Sequence, residues 1–192
     1  MRLQDWLELF RSYRQIKVFH LQHLKTLTEM NHHTLQVALK RLTHRKVIHR
    51  ICRGYYANPL NLPTVEEIAA EIYKPSYLSL ESALYRHGIL SQTPFSSTCV
   101  TTRLPREFHT SFGLIQYRQI KKAHFFGFVA QGGYFLAEPE KALVDFLYLN
   151  RHRDIRGMLS EFHLGSLRLP RLKSYAKRLR VTMPPLAGKA LA

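Results

Sequence analysis

The chain has 192 residues, 45% of them apolar, which allows a packed core in one mid-sized domain or two small ones. It carries 29 Lys and Arg against 13 Asp and Glu, a net charge of +16, which points to a polyanionic partner. No apolar run spans a bilayer, the acid-bearing amphipathic opening "MRLQDWLELFRSYR" does not read as a signal peptide, and Cys52 and Cys99 make no disulfide framework, so the expectation is a cytoplasmic protein with two reduced thiols and no membrane partner.

Leu3, Trp6, Leu7 and Phe10 recur at helical spacing and predict an amphipathic opening helix. Leu21, Leu24 and Leu27 predict a short second helix, broken at "TEMN". Asn31 is a good N-cap for a third helix over about 32–46, with Leu35, Ala38, Leu39 and Leu42 as its buried stripe. Two short helices joined by a four-residue turn are the helix-turn-helix pattern.

The face opposite that stripe has the residue types of a DNA-reading helix. Its candidate contacts are His33, Thr34, Gln36, Val37, Lys40, Arg41, His44 and Arg45. Gln36 can pair with adenine in the major groove, Val37 can touch a thymine methyl, and the later basic residues can meet phosphate. Taken singly, these residues also fit an ordinary solvated helix face. An apolar Val37 amid basic neighbours favours DNA.

"VIHRICRGYYANP" then reads as two short strands around a Cys-Arg-Gly turn, where Gly54 supplies a positive φ and Pro59 stops the second strand. Arg50 and Arg53 flank the tip, and the two tyrosines pack beneath it. Helix-turn-helix plus basic hairpin predicts a winged helix whose wing lies on the phosphate backbone.

In the middle of the chain, Thr64 and Glu67 form a capping box. "PSYLSLESALYRHG" predicts a helix capped by Ser79 or Ser76, buried through Leu80, Ala83 and Leu84, and ended by Gly88. The period then changes to two: 95–102, 114–120, 125–130 and 134–137 read as strands, with Gly132-Gly133 as a hairpin turn. Pro139 opens a helix with Ala142, Leu143, Phe146 and Leu147 as its stripe. The expected fold class is α+β: an N-terminal winged helix-turn-helix over 1–60, then an α+β domain over 61–192 built on a small antiparallel sheet and ending in a basic helix.

An active site is not expected. Glu138 and Glu140 in a helix's first turn suit its dipole, and Lys141 with Asp145 is an i, i+4 pair. "FGF" and "QGG" are too sparse for phosphate loops, His20 and His23 lack a second ligand pair, and no carboxylate cluster offers a nuclease its metal. No catalytic residue, metal or cofactor is therefore expected.

"LPRLKSYAKRLR" puts Leu172, Tyr175, Ala176 and Leu179 on one helical face, surrounded by Arg171, Lys173, Lys177 and Arg178. These four are candidates for a second DNA contact; the other reading is a solvated amphipathic helix docked on the sheet. The charge is segregated to match. Residues 1–60 hold 11 basic and 3 acidic side chains, 61–150 hold 8 and 8, and 151–192 hold 10 and 2. Nucleic acid is the commonest partner of such surfaces, because neutralised phosphates release condensed counterions.

The ordered set "PSYLSLESALYRHGI", "TTR", "FGLIQYRQI" and "GGYFLAEPEKALVDFLYL" resembles the AbiEi family, the antitoxins of type IV toxin–antitoxin systems in bacterial abortive-infection phage defence. The likeness runs over about residues 16–180. It implies a transcriptional repressor that binds inverted repeats of double-stranded DNA in its own operon; the two-fold symmetry of such repeats in turn suggests a homodimer on the DNA. It also implies a functional partner, a nucleotidyltransferase-like toxin, which the antitoxin need not bind stably to counteract. By position, His33, Gln36, Val37, Lys40, Arg50 and Arg53 would read DNA, and Ser79, Glu81, Lys141 and Asp145 would be largely structural. The rival reading is a protein-interaction module that neutralises an acidic toxin without sequence-specific DNA binding.

Overall fold

The computed structural model describes residues 1–183, which form eight α-helices and two β-sheets in a mixed α+β arrangement. α1 (Leu3–Ser12) buries Trp6 and Phe10. β1 (Val18–His20), a strand too short to show as alternation, follows it. α2 (Leu21–Thr28) is capped by His20, whose Nδ1 accepts from the Gln22 amide at 3.2 Å, and it ends where Glu29 turns left-handed. α3 (His32–His44) starts at Asn31, whose side-chain oxygen accepts from the Thr34 amide at 2.9 Å and so satisfies a donor the helix leaves open. β2 (His49–Cys52) and β3 (Tyr55–Ala57) form a hairpin turning at Arg53 and Gly54, where Gly54 has a φ of 84°. β1 pairs with the other side of β3, so this sheet is antiparallel with the order β1-β3-β2.

Asn58 locks the unit just past β3. It is fully buried, and its amide donates to the carbonyls of Phe10, Tyr13 and Ile16 at 3.3, 3.2 and 2.9 Å. Those carbonyls lie at and beyond the end of α1, where helical partners run out. The Asn58 carbonyl oxygen accepts from the Leu60 amide at 3.0 Å.

α4 (Val65–Ile72) carries the Thr64–Glu67 capping box. β4 (Ser76–Leu78) follows and is buried along its whole length, so Ser76 belongs to a strand and does not cap the next helix. α5 (Leu80–Arg86) begins at Ser79 and is followed by Gly88 at a φ of 68°. Then come β5 (Ser97–Thr101), β6 (Arg106–Thr110), β7 (Gly113–Gln119), β8 (Phe128–Gln131) and β9 (Tyr134–Ala137), a single 3-10 turn at Lys122–His124 lying between β7 and β8. α6 (Pro139–Leu149), α7 (Arg156–Ser160) and α8 (Leu169–Leu179) close the described chain.

The second sheet corrects the expectation of a small antiparallel one. It has six strands in the order β6-β7-β5-β4-β9-β8, and two of its pairings, β5 with β7 and β4 with β9, are parallel. The hairpins β6–β7 and β8–β9 each lay their second strand against the central antiparallel pair β4–β5. Alternation along a strand marks the side chains that face a core; it carries no information about the direction of the neighbouring strand.

Two cores result. Trp6, Phe10, Phe19, Leu24, Leu35, Leu39, Ile48 and Tyr56 make the smaller one. Val18, Ile51 and Ala57 belong instead to the larger core, with the central strands, α5, α6 and α8. Alternate residues of β1 and β3 thus fill different cores, and the small sheet is the wall between them. The Lys17–Glu67 ion pair, the Tyr55 hydroxyl on the Ile72 carbonyl at 3.5 Å and the Ser111 amide on the Ile51 carbonyl at 3.0 Å fasten the two parts together. Among the described residues no helix is long and apolar enough to cross a membrane.

Candidate nucleic-acid interface

From Met30 to Val65 the chain contains no acidic residue, while Lys40, Arg41, Arg45, Lys46, Arg50 and Arg53 all fall inside that stretch. The fold collects them on one unit. Leu35, Leu39 and Leu42 seat α3 in the smaller core, which turns the rest of the helix to water. His33, Thr34, Gln36, Val37, Lys40, Arg41 and Arg45 are exposed or half-exposed, and so is His44. Val37 leaves 37% of its surface open on this polar face. Among the described residues, none of the six cations has a carboxylate within ion-pair distance.

The hairpin next to α3 is held from both sides. The Leu21 amide donates to the Gly54 carbonyl at 2.7 Å, tying the turn to the start of α2. On the outer side, the Ser111 hydroxyl donates to the Arg50 carbonyl at 3.0 Å, beside the Ser111–Ile51 backbone bond. Arg50 and Arg53 remain exposed on this braced turn. Space does not demand glycine at position 54, since a Cβ there would meet only the His20 ring at 3.8 Å; the positive φ does. Tyr55 and Tyr56 point into the two different cores, as alternation along β3 requires.

The C-terminal set divides. Arg171 pairs with Glu138 at 2.9 Å, and the Tyr175 hydroxyl donates to the other oxygen of that carboxylate. Burial and this bond push the Tyr175 phenol up to about 12. The Arg178 guanidinium lies 3.6 Å over the Phe126 ring. These two side chains fasten α8. Lys173 and Lys177 are exposed and have no carboxylate partner among the described residues. Lys121 belongs by sequence to the neutral middle, yet its charge and those of Arg178, Arg180 and Lys141 act together on His124. Burial first, then these cations, holds the His124 imidazole below its ordinary value. No signal in the sequence joins positions so far apart.

The pair expected to be a routine helical ion pair, Lys141 with Asp145, lies deep inside. The Lys141 ammonium also donates to the Tyr77 hydroxyl at 2.9 Å, and Tyr77 and Ser79 donate to the second Asp145 oxygen at 2.8 and 2.9 Å. Burial pushes the Asp145 carboxyl up and the Lys141 ammonium down, each opposed by the other's charge. Gly127 makes room, because a Cβ there would stand 3.1 Å from the Lys141 stem. Glu81, half-buried, stays outside this network. Among the described residues no group of His, Cys, Asp and Glu is placed to hold a metal ion.

No protein-family model matches the chain, and it matches no curated protein.

Proposed function

We propose that the N-terminal unit is a winged helix that reads duplex DNA, with α3 in the major groove and the β2–β3 hairpin on the sugar-phosphate backbone. The observation that carries this reading is the solvent-facing, acid-free side of α3, with Lys40, Arg41 and Arg45 lacking any carboxylate partner among the described residues. The order α1-β1-α2-α3-β2-β3, with β1 closing a three-stranded sheet, supports it. His33, Thr34, Gln36 and Val37 sit in the first turns of α3, the part of such a helix that reaches base edges. Lys40, Arg41, His44, Arg45, Arg50 and Arg53 serve the backbone. Lys173 and Lys177 are a second backbone contact, with Arg171 and Arg178 holding their helix in place.

Taken with the AbiEi resemblance, the whole chain is a repressor of its own operon that binds inverted repeats in the cytoplasm and acts as the antitoxin to a nucleotidyltransferase-like toxin. Fluorescence anisotropy on duplex DNA from upstream of its own gene tests the first part. Preference for that duplex over a shuffled one is expected. Equal affinity for both sinks sequence-specific reading, and no affinity for either sinks DNA binding altogether. Co-expression with a neighbouring toxin of that class tests the second part through rescue of growth.

A further inference from the structure

The two edges of the six-stranded sheet are finished differently. At β6, the strand carries Arg106, Glu107 and His109, and the turn after it is bonded to β2 through Ser111. Charge and a covering neighbour are the usual protections against pairing with another chain. At β8, the strand reads Phe-Val-Ala-Gln, with neither charge nor proline. Val129, Ala130 and Gln131 are exposed, Val129 at 51%, and Phe135 on the adjoining β9 keeps 47%.

The backbone at this edge is open. The two-residue turn Gly132–Gly133 makes Gln131–Tyr134 and Val129–Leu136 the mutually bonded pairs of the β8–β9 ladder. The N–H and C=O groups of Phe128 and Ala130 therefore point outward. None of them has a further backbone partner among the described residues. Beside the edge lies a cavity of about 450 Å³ lined by Ser76, Phe125, Phe128, Tyr134 and Phe135. The Ser76 hydroxyl is buried there without a hydrogen-bond partner.

We propose that β8 pairs antiparallel with β8 of a second copy of this chain, joining the two six-stranded sheets across a two-fold axis at Val129. Phe128 of each copy then exchanges both backbone bonds with Ala130 of the other, and the two Val129 side chains meet on one face. Electrostatics favours this place for contact with a second copy. Two chains of +16 repel, so they associate where charge is lowest. The β8–β9 hairpin, Phe128 to Ala137, has no charged residue, and it lies in the stretch whose 8 cations and 8 anions cancel. A two-fold axis sets this uncharged strip against itself, as a self-complementary interface requires. The pairing would also supply the two copies an inverted repeat needs; only that last clause rests on the DNA reading.

Sedimentation equilibrium without DNA tests the pairing. The mass should rise with concentration toward twice the 22.5 kDa chain. Protection of the Phe128 and Ala130 amides in hydrogen exchange should rise with it. Val129→Lys sets like charges across the axis, and Ala130→Pro removes an outward donor; each should hold the mass at one chain while a single half-site duplex is still bound as wild type binds it. A wild-type mass of one chain at every concentration overturns the proposal, and so does doubling that survives in both variants. Should the variants misfold, the concentration dependence of the two wild-type amides decides alone. Loss of DNA binding in a protein that still dimerises would count against the function proposed above and leave this pairing standing.

Discussion

Lys141 and Asp145 sit one helical turn apart on α6 as an ion pair from which both side chains are wholly withdrawn from solvent. Through Tyr77 and Ser79 the pair ties α6 to β4 and to the first turn of α5. Ser79 stands at the N-cap position of α5 but makes no cap bond, because its hydroxyl goes to Asp145.

Breaking this pair from one side strands a charge in the core. Asp145→Leu and Lys141→Met should each cost about 3–5 kcal/mol, whereas the double variant should lose clearly less than the sum. Urea denaturation of the four proteins measures the coupling. Single losses of about 1 kcal/mol or less, the worth of a surface pair, would refute it.

Asn58 offers a sharper contrast. Asn58→Ala removes the side-chain donor from the carbonyls of Phe10, Tyr13 and Ile16, of which Tyr13 keeps the Ile16 amide, and should cost about 1–3 kcal/mol. Asn58→Asp keeps the shape but turns a carboxylate toward three carbonyl oxygens, so it should be the worse of the two. Thermal unfolding of both variants gives the order, and an aspartate as stable as wild type would contradict the bonding described.

Under the DNA reading, Lys40→Ala with Arg41→Ala should flatten log K against log salt by about 0.9 for each phosphate no longer neutralised. Lys173→Ala with Lys177→Ala should do the same if α8 lies on the duplex as proposed, and an unchanged slope removes α8 from the interface. Gln36→Ala should leave the slope alone and cost about 1–3 kcal/mol against the preferred duplex, with relaxed base preference at one position. Anisotropy titrations across a salt series separate the three.

His124 should make stability fall in mild acid. Its folded value is depressed by burial and by the charges of Lys121, Lys141, Arg178 and Arg180, and its ring packs edge-on against Tyr148. Its contribution is therefore complete above the ordinary histidine range and is lost as pH drops through the folded value, because the unfolded chain takes the proton first. The difference in unfolding free energy between wild type and His124→Asn should shrink from pH 7 toward pH 5 on the scale where histidine titrates. A difference constant across that range would show that the ring is not held neutral.

Much of the local architecture was legible in the residues. Leu35, Leu39 and Leu42 marked the inner side of α3, Asn31 its start, Thr64 and Glu67 the start of α4, and Pro139 that of α6. The exposed side of α3 followed from the same spacing, and so did the chemistry of its candidate contacts. Three strands escaped. β1 and β4 are three residues long, and β4 runs straight into Ser79 and α5, so its Tyr77 and Leu78 read as the approach to a helix. β6 carries Arg106, Glu107 and His109 and looks like a loop, because an edge strand need bury little.

By itself the sequence determined most of the helical segments, though not α7, the starts of α3, α4 and α6, and that the acid-free stretch from Met30 to Val65 would be basic; those outcomes depend on residues within four positions of one another and on composition. Only the tertiary structure decided that Lys141 and Asp145 lie in the dark, that Arg171 fastens a helix while Lys173 faces water, that β5 and β7 run the same way, and that β8 is left bare. Each of these depends on partners brought together from afar, as with Ser79 and Asp145, which are 66 residues apart. The dielectric around a charge, and the neighbour of a strand, are properties of that assembled packing and not of any short stretch of chain.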